Sequence, residues 1–254
     1  MQPHERIYVA VDTNDVSKAL SLAEALKGKV GGFKIGLEFI TSVIVKLAVL
    51  PIMEVNGLLA NFRLLLQTIG SDLFWDGKFD DIPNTVGGAS LGLGLLSPKF
   101  FNVHASSGSE AVAKAVGNKG ASKVLAVTLL TSFDMRASID FFGQAPEIMV
   151  PRWAELAVEA GADGLICSPA DLAIVNRFEK LKDVPKMTPG IRPLWSLKAG
   201  NDQARIMTPA QALVAGSTWM VIGRPITGYP EGPVKAVERI VDEIDKAELD
   251  AICG

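Results

Sequence analysis

Eight short apolar runs, separated by helix-like stretches, constrain the fold of this chain more than any other feature of its sequence. They lie at residues 7–11, 32–35, 73–75, 100–103, 124–129, 164–167, 186–187 and 219–222. Alanine-rich segments with helical spacing fall between them at 17–26, 110–116, 152–160, 170–178, 209–215 and 234–247. Strands alternating with helices imply parallel pairing, and continuously apolar strands imply a sheet covered on both faces. Eight such units in 254 residues match a single α/β domain, residues 1–254, folded as a (β/α)8 TIM barrel. A doubly wound open sheet is the alternative. Its dinucleotide-binding form needs a glycine-rich turn after the first strand, whereas this chain has Val11-Asp12-Thr13-Asn14-Asp15 there.

Composition narrows the function classes. The chain is 48% hydrophobic and 21% charged, enough for a sizeable core, and its formal net charge of -3 lacks the basic footprint of a nucleic-acid binder. A small anionic ligand held in a local pocket is the expected partner. Cys167 and Cys253 are far apart and without metal-type spacing, and neither His4 nor His104 sits in a ligand cluster. No metal site and no disulfide are expected. The first residues have no apolar signal-peptide core, and the hydrophobic segment 43–69 is interrupted by Lys46, Pro51, Glu54 and Arg63. A cytoplasmic protein without a membrane span is therefore expected.

The segment Trp75-Asp76-Gly77-Lys78-Phe79-Asp80-Asp81-Ile82-Pro83 carries the strongest chemical signal. If 73–78 is a strand, side-chain alternation puts Asp76 and Lys78 on one face, with Asp81 in the loop beyond. A carboxylate beside the ammonium keeps Lys78 protonated and able to deliver a proton. The plainer alternative is a salt bridge at a strand end. Lys34, inside Gly32-Phe33-Lys34-Ile35-Gly36, occupies a strand position where an apolar residue is the default. A buried ammonium there needs a carboxylate partner, with Asp76 the candidate, unless the side chain snorkels to water. Asp12, His104, Thr128 and Thr131 also end or interrupt strands, so a barrel would gather them at one mouth. Gly223-Arg224 follows the last strand and Pro189-Gly190-Ile191-Arg192 follows the seventh, where barrels often bind phosphate. Residues 194–207 have the length and polarity of a loop that could cover a ligand.

These pieces, with Asp76-x-Lys78-x-x-Asp81-Ile82-Pro83-Asn84-Thr85-Val86, Val103-His104-Ala105, Thr188-Pro189-Gly190-Ile191-Arg192, Asn201-Asp202-Gln203-x-Arg205 and Val221 to Thr227, closely resemble the orotidine 5'-phosphate decarboxylase family, in order and over nearly the whole chain. The resemblance implies a carboxy-lyase that converts orotidine 5'-phosphate to UMP, the last step of de novo pyrimidine biosynthesis, without metal or organic cofactor. It also implies roles. Asp12 would bind the ribose, Lys34 would link the ribose hydroxyls to the catalytic carboxylates, Asp76 and Lys78 would face the reacting carbon, and Lys78 would protonate C6. Asp81 and Ile82 would enter the site of a partner in a homodimer, and Thr131 or Ser132 would address the pyrimidine. Gln203 would bridge base and phosphate, with Pro189 beside them and Arg192, Gly223 and Arg224 on the phosphate. Two alternatives share the barrel: a metal-dependent sugar-phosphate decarboxylase or aldolase, which would want a glutamate where Lys34 stands, and a non-catalytic phosphate-ligand binding protein. The segment 38–72 departs from the family pattern, with a helix that is longer or broken at Pro51 and an added hydrophobic stretch expected to be core.

Overall fold

A computed structural model describes residues 1–197 and 206–253. Eight parallel strands, β1 (Ile7–Ala10), β2 (Gly32–Gly36), β3 (Leu73–Phe79), β4 (Phe100–His104), β5 (Lys123–Val127), β6 (Gly164–Ile166), β7 (Lys186–Thr188) and β8 (Trp219–Ile222), close into a barrel in sequence order. All eight expected strands are present. The ring closes where Tyr8 of β1 pairs with Val221 of β8. Eleven helices are described around or above it: α1 (Val16–Leu26), α2 (Leu37–Val49), α3 (Ile52–Ile69), α4 (Pro83–Leu93), α5 (Ser109–Gly117), α6 (Met135–Phe142), α7 (Pro146–Glu159), α8 (Leu172–Val175), α9 (Pro209–Val214), α10 (Arg224–Thr227) and α11 (Pro233–Cys253). Among the described residues no helix is long and apolar enough to cross a membrane.

Local chemistry sets the boundaries. Asp15 caps α1 by accepting from the Ser17 and Lys18 amides at 2.9 and 3.2 Å, and Thr208 with Gln211 forms a capping box on α9. The segment 38–72 resolves into two helices. Pro51 disfavours helical backbone at the residue before it, so Leu50 turns to ψ 152 and α3 restarts beyond the proline. Phe39, Val43, Leu65 and Ile69 of this pair join the core around β1 and β2, whereas Ile44, Val49, Ile52 and Met53 stay exposed. The added segment is therefore core along one side only. Its α2 helix is tied to the loop after β1, since both Ser42 and Lys46 donate to the Asn14 carbonyl.

α4 lacks a strong sequence signal, since it contains Gly87, Gly88 and Gly92 and shows little contrast between faces. α6 is two-faced but only eight residues long. α7 begins at Pro146, earlier than the sequence suggests, because the helix runs through the buried Pro151.

Side chains pointing into the barrel form an apolar floor under a polar top. Tyr8, Phe74, Phe100 and Trp219 pack edge-on or tilted, with ring centroids 4.6 to 6.5 Å apart. At the start of β7 the buried Lys186 ammonium donates to the carbonyls of Leu181, Lys182 and Val184 at 2.8, 3.0 and 2.8 Å. Truncating the floor at its centre, by Phe100→Ala, is expected to cost about 3–5 kcal/mol of stability, measured by urea unfolding.

Candidate active site

The polar top lies at the C-terminal ends of β2, β3 and β4, where barrels carry their sites. Lys34 reaches it because its inward-pointing neighbours on β2 are Gly32 and Gly36. A methyl group added at Gly36 would stand 2.8 Å from the Lys34 Nζ, so only glycine leaves that ammonium its present place. Gly36 also pairs with Asp76 in the β2/β3 register, which brings the two charges level.

Asp76 is the centre of the cluster. Its Oδ2 lies 3.1 Å from Lys34 Nζ and its Oδ1 lies 2.6 Å from Lys78 Nζ, while Lys34 also meets Asp12 Oδ1 at 3.3 Å. Asp76 is 6% exposed. Burial works to raise its carboxyl, but Lys34, Lys78 and hydrogen bonds from Lys78 and Asn102 hold it below the usual carboxylate range. Lys34 is the mirror case, since burial pushes its ammonium down and the charges of Asp76 and Asp12 outweigh that to hold it above its ordinary value. His104, half-buried at the end of β4, is lowered by burial and by Lys78 against the opposing pull of Asp80.

The meeting of Asp76 and Lys78 does not come from regular alternation. Trp75 pairs with Phe101 and Phe79 with Val103, so the register shifts across the motif, and Lys78 takes a left-handed φ of 47°. A bulge, rather than a plain strand, turns the lysine back onto Asp76.

Beside the charges opens a cavity of about 160 Å³, comparable with the roughly 150 Å³ void that admits benzene in an engineered core. Lys34, Asp76, Lys78 and Asn102 form one wall and Val127, Leu129, Ile166 and Val221 much of the other, with Thr131 and Pro189 also lining it. A second cavity of about 480 Å³ is lined by Arg192, Arg224, Trp195 and Tyr229. Gly223 lies in sequence between Val221 of the first cavity and Arg224 of the second, and an added methyl there would stand 3.4 Å from Asp12 Oδ2.

Asp81 and Ile82 stand apart. Both are exposed at the start of α4, and Asp81 accepts from the Ile82 amide at 2.7 Å instead of joining the cluster. Ser132 is exposed and does not line the cavity. Thr128 turns its hydroxyl to the Ile166 carbonyl at 3.0 Å. Gln203, with Asn201, Asp202 and Arg205, lies outside the described residues. Several lining residues escaped the sequence analysis, among them Asn102, hidden inside the apolar run of β4, and Ser168; Cys167, read there only as a lone cysteine, also lines the cavity, and burial pushes its thiol up to about 12. A polar residue in a buried strand was the available signal for Asn102.

The sequence pattern of the orotidine 5'-phosphate decarboxylase / HUMPS family matches residues 5–240. The chain belongs to that family. It is 40% identical over 253 residues to the orotidine 5'-phosphate decarboxylase of Paramagnetospirillum magneticum, covering 96% of this chain and 97% of the relative. The corresponding protein of Geobacter sulfurreducens is also 40% identical, over 252 residues, with 96% and 97% covered. Among solved structures, orotidine 5'-phosphate decarboxylase from Lactobacillus acidophilus superposes with a TM-score of 0.71 at 27% identity, covering 94% of this chain and 98% of that one.

Neutralising the cluster at its centre gives a direct check on these electrostatics. In Asp76→Asn, Lys34 keeps its burial but loses its nearest carboxylate. Its ammonium is expected to titrate at a lower pH than in the wild type, as followed by NMR of the Lys34 Nζ.

Proposed function

We propose that this chain decarboxylates orotidine 5'-phosphate to UMP as a single-domain homodimer. The observation that carries this is the Lys34–Asp76–Lys78 array lining a cavity of ring size, in a member of this family. The pyrimidine would occupy the smaller cavity with C6 and its carboxylate toward Asp76 and Lys78. The ribose hydroxyls would meet Asp12 and Lys34, Thr131 or Ser132 would address the base edge beside Pro189, and the phosphate would lie by Arg192, Gly223 and Arg224. Gln203 is assigned to the bridge between base and phosphate.

Breaking the C6–carboxylate bond releases carbon dioxide and leaves the electron pair on C6, where no ring carbonyl is placed to delocalise it. The Lys78 ammonium, already directed by Asp76, stabilises that charge and then gives C6 its proton, later recovering one from solvent. Enzymes lower barriers by roughly 8 to 23 kcal/mol, and this reaction needs the upper part of that span. Phosphate contacts far from C6 can supply binding energy that presses the substrate carboxylate toward Asp76. The metal-dependent alternative is disfavoured because the Lys34 ammonium stands 3.1 Å from Asp76, and its charge would repel a divalent cation.

The dimer is supported by the surface beside the motif. α4 carries no charged residue, and Ile82, Leu91 and Leu95 are 66%, 66% and 94% exposed. An uncharged helix with the bare Leu91 on it and Ile82 and Leu95 exposed at its two ends suits a self-complementary contact that would carry Asp81 and Ile82 into the partner's site.

An absorbance assay with orotidine 5'-phosphate in the presence of a chelator tests the activity, and absence of turnover would overturn the assignment. Lys78→Ala should abolish turnover while the dimer survives in light scattering. Arg224→Ala should chiefly raise KM and lower kcat/KM. Mixing inactive Lys78→Ala with inactive Asp81→Ala should restore part of the activity, because one site in each mixed dimer then keeps both residues; no recovery on confirmed exchange would sink the shared site.

A further inference from the structure

Asn102 of β4 is 1% exposed, in a run of phenylalanine and valine where an apolar side chain is the default. It stands opposite the bulge. Because Trp75 pairs with Phe101 and Phe79 with Val103, the three residues Asp76, Gly77 and Lys78 face Asn102 alone. Surplus residues in one strand break the ladder, which leaves the backbone N–H of Lys78 without an ordinary strand partner. The Asn102 side chain supplies one. Its Oδ1 accepts from the Lys78 N–H at 2.7 Å, and its Nδ2 donates to Asp76 Oδ1 at 2.6 Å, the same oxygen that Lys78 Nζ meets at 2.6 Å.

We propose that Asn102 is the positioning residue of the lysine–aspartate pair, a single amide that clamps the left-handed backbone of Lys78 and fixes the Asp76 carboxylate so that the ammonium is aimed into the cavity. This rests on the decarboxylase reading above. A primary amide suits the place because it offers an acceptor to the N–H and a donor to the carboxylate at once. Leucine has the size and neither group. An ionised aspartate accepts but cannot donate, and it sets a second negative charge against Asp76. A non-glycine residue at positive φ is uncommon and persists where its surroundings over-determine it, and here the surroundings include this clamp.

The charged and titratable groups around Asp76 are Lys34 from β2, Lys78 on its own strand, His104 and Asp80 beside Lys78, and Asp12 of the first βα loop across Lys34. Asn102 contributes one of the hydrogen bonds that favour the ionised carboxylate. Without it Asp76 takes up a proton at higher pH, so the acid limb of kcat/KM moves upward.

Wild type, Asn102→Leu and Asn102→Asp are compared by kcat, KM and pH profile on orotidine 5'-phosphate, with thermal unfolding and UMP titration calorimetry as controls. For Asn102→Leu we expect kcat about 10- to 100-fold lower with KM little changed and the acid limb displaced upward, as follows from leaving a buried N–H and a carboxylate each one partner short. Asn102→Asp should be impaired at neutral pH and gain relative to Asn102→Leu as the pH falls, since a protonated carboxyl can again both donate and accept. A Leu variant with wild-type kinetics, or one that loses activity with its pH profile unmoved, overturns the proposal. If the Leu variant does not fold, the pH response of the Asp variant decides. Wild type inactive on orotidine 5'-phosphate would instead strike the functional reading, and the clamp would then stand or fall on whether the Lys78 amide resonance shifts in Asn102→Asp.

Discussion

One buried carboxylate holds two ammonium groups at the mouth of this barrel, and the geometry of the site depends on that attraction. Two unit charges about 4 Å apart interact by roughly 4 kcal/mol at the permittivity typical near a protein surface. Lys34 and Lys78 could not share one wall of a cavity without an anion between them, and Asp76 could not stay ionised at 6% exposure without cations on both of its oxygens. Each charge is thus the condition for the next. The dependence explains why Asp76 is held below its usual range and Lys34 above, although burial opposes both shifts.

The backbone around this triad is shaped to admit it. On β2, glycines flank Lys34 on the inner face, and on β3 the strand departs from regular pairing so that Lys78 can return onto its neighbour two residues back. Gly77 belongs to the same adjustment. A methyl group there would press to 2.8 Å on the Trp75 indole nitrogen, so the bulge and the tryptophan beneath it are packed around a missing side chain. The aromatic floor of Tyr8, Phe74, Phe100 and Trp219 fills the barrel below and leaves the polar layer no depth in which to relax.

What was legible in the sequence follows from this division. The eight strands could be read because each is a short apolar run, and Lys34 stood out because a charge in such a run demands a partner. The Asp76–Lys78 contact was legible as a pair but not in its cause, since alternation in an ideal strand and a bulge with Lys78 at φ 47° bring together the same two residues. Asn102 escaped because one asparagine between Phe101 and Val103 looks like a blemish in an apolar strand until the gap it fills is visible. α4 escaped for another reason: its glycines and lack of charge erase the amphipathic pattern by which a half-buried helix is recognised, and the exposed Leu91 and Leu95 acquire a purpose only in the proposed dimer. The segment 43–69 was read as core and is core along one side, where Val43, Leu65 and Ile69 are buried and Leu47, Leu58, Phe62 and Leu66 pack against the same core, because a helix pair on the outside of a barrel has one side to bury.

The walls of the smaller cavity differ in kind, and that asymmetry bears on the reaction proposed. Val127, Leu129, Ile166 and Val221 offer a flat ring apolar contact while the opposite wall presents fixed charges. A pyrimidine seated there would exclude water from the interval between C6 and Lys78, and Coulomb attraction across that interval would strengthen accordingly. The departing carbon dioxide is neutral, so the negative charge it leaves must be met where it forms. Asp76 orients Lys78 at 2.6 Å, so in the proposed reaction the stabilising dipole would not need to be assembled during the bond cleavage. The interactions that pair these charges so tightly are therefore the ones that would let the proposed site act without rearranging.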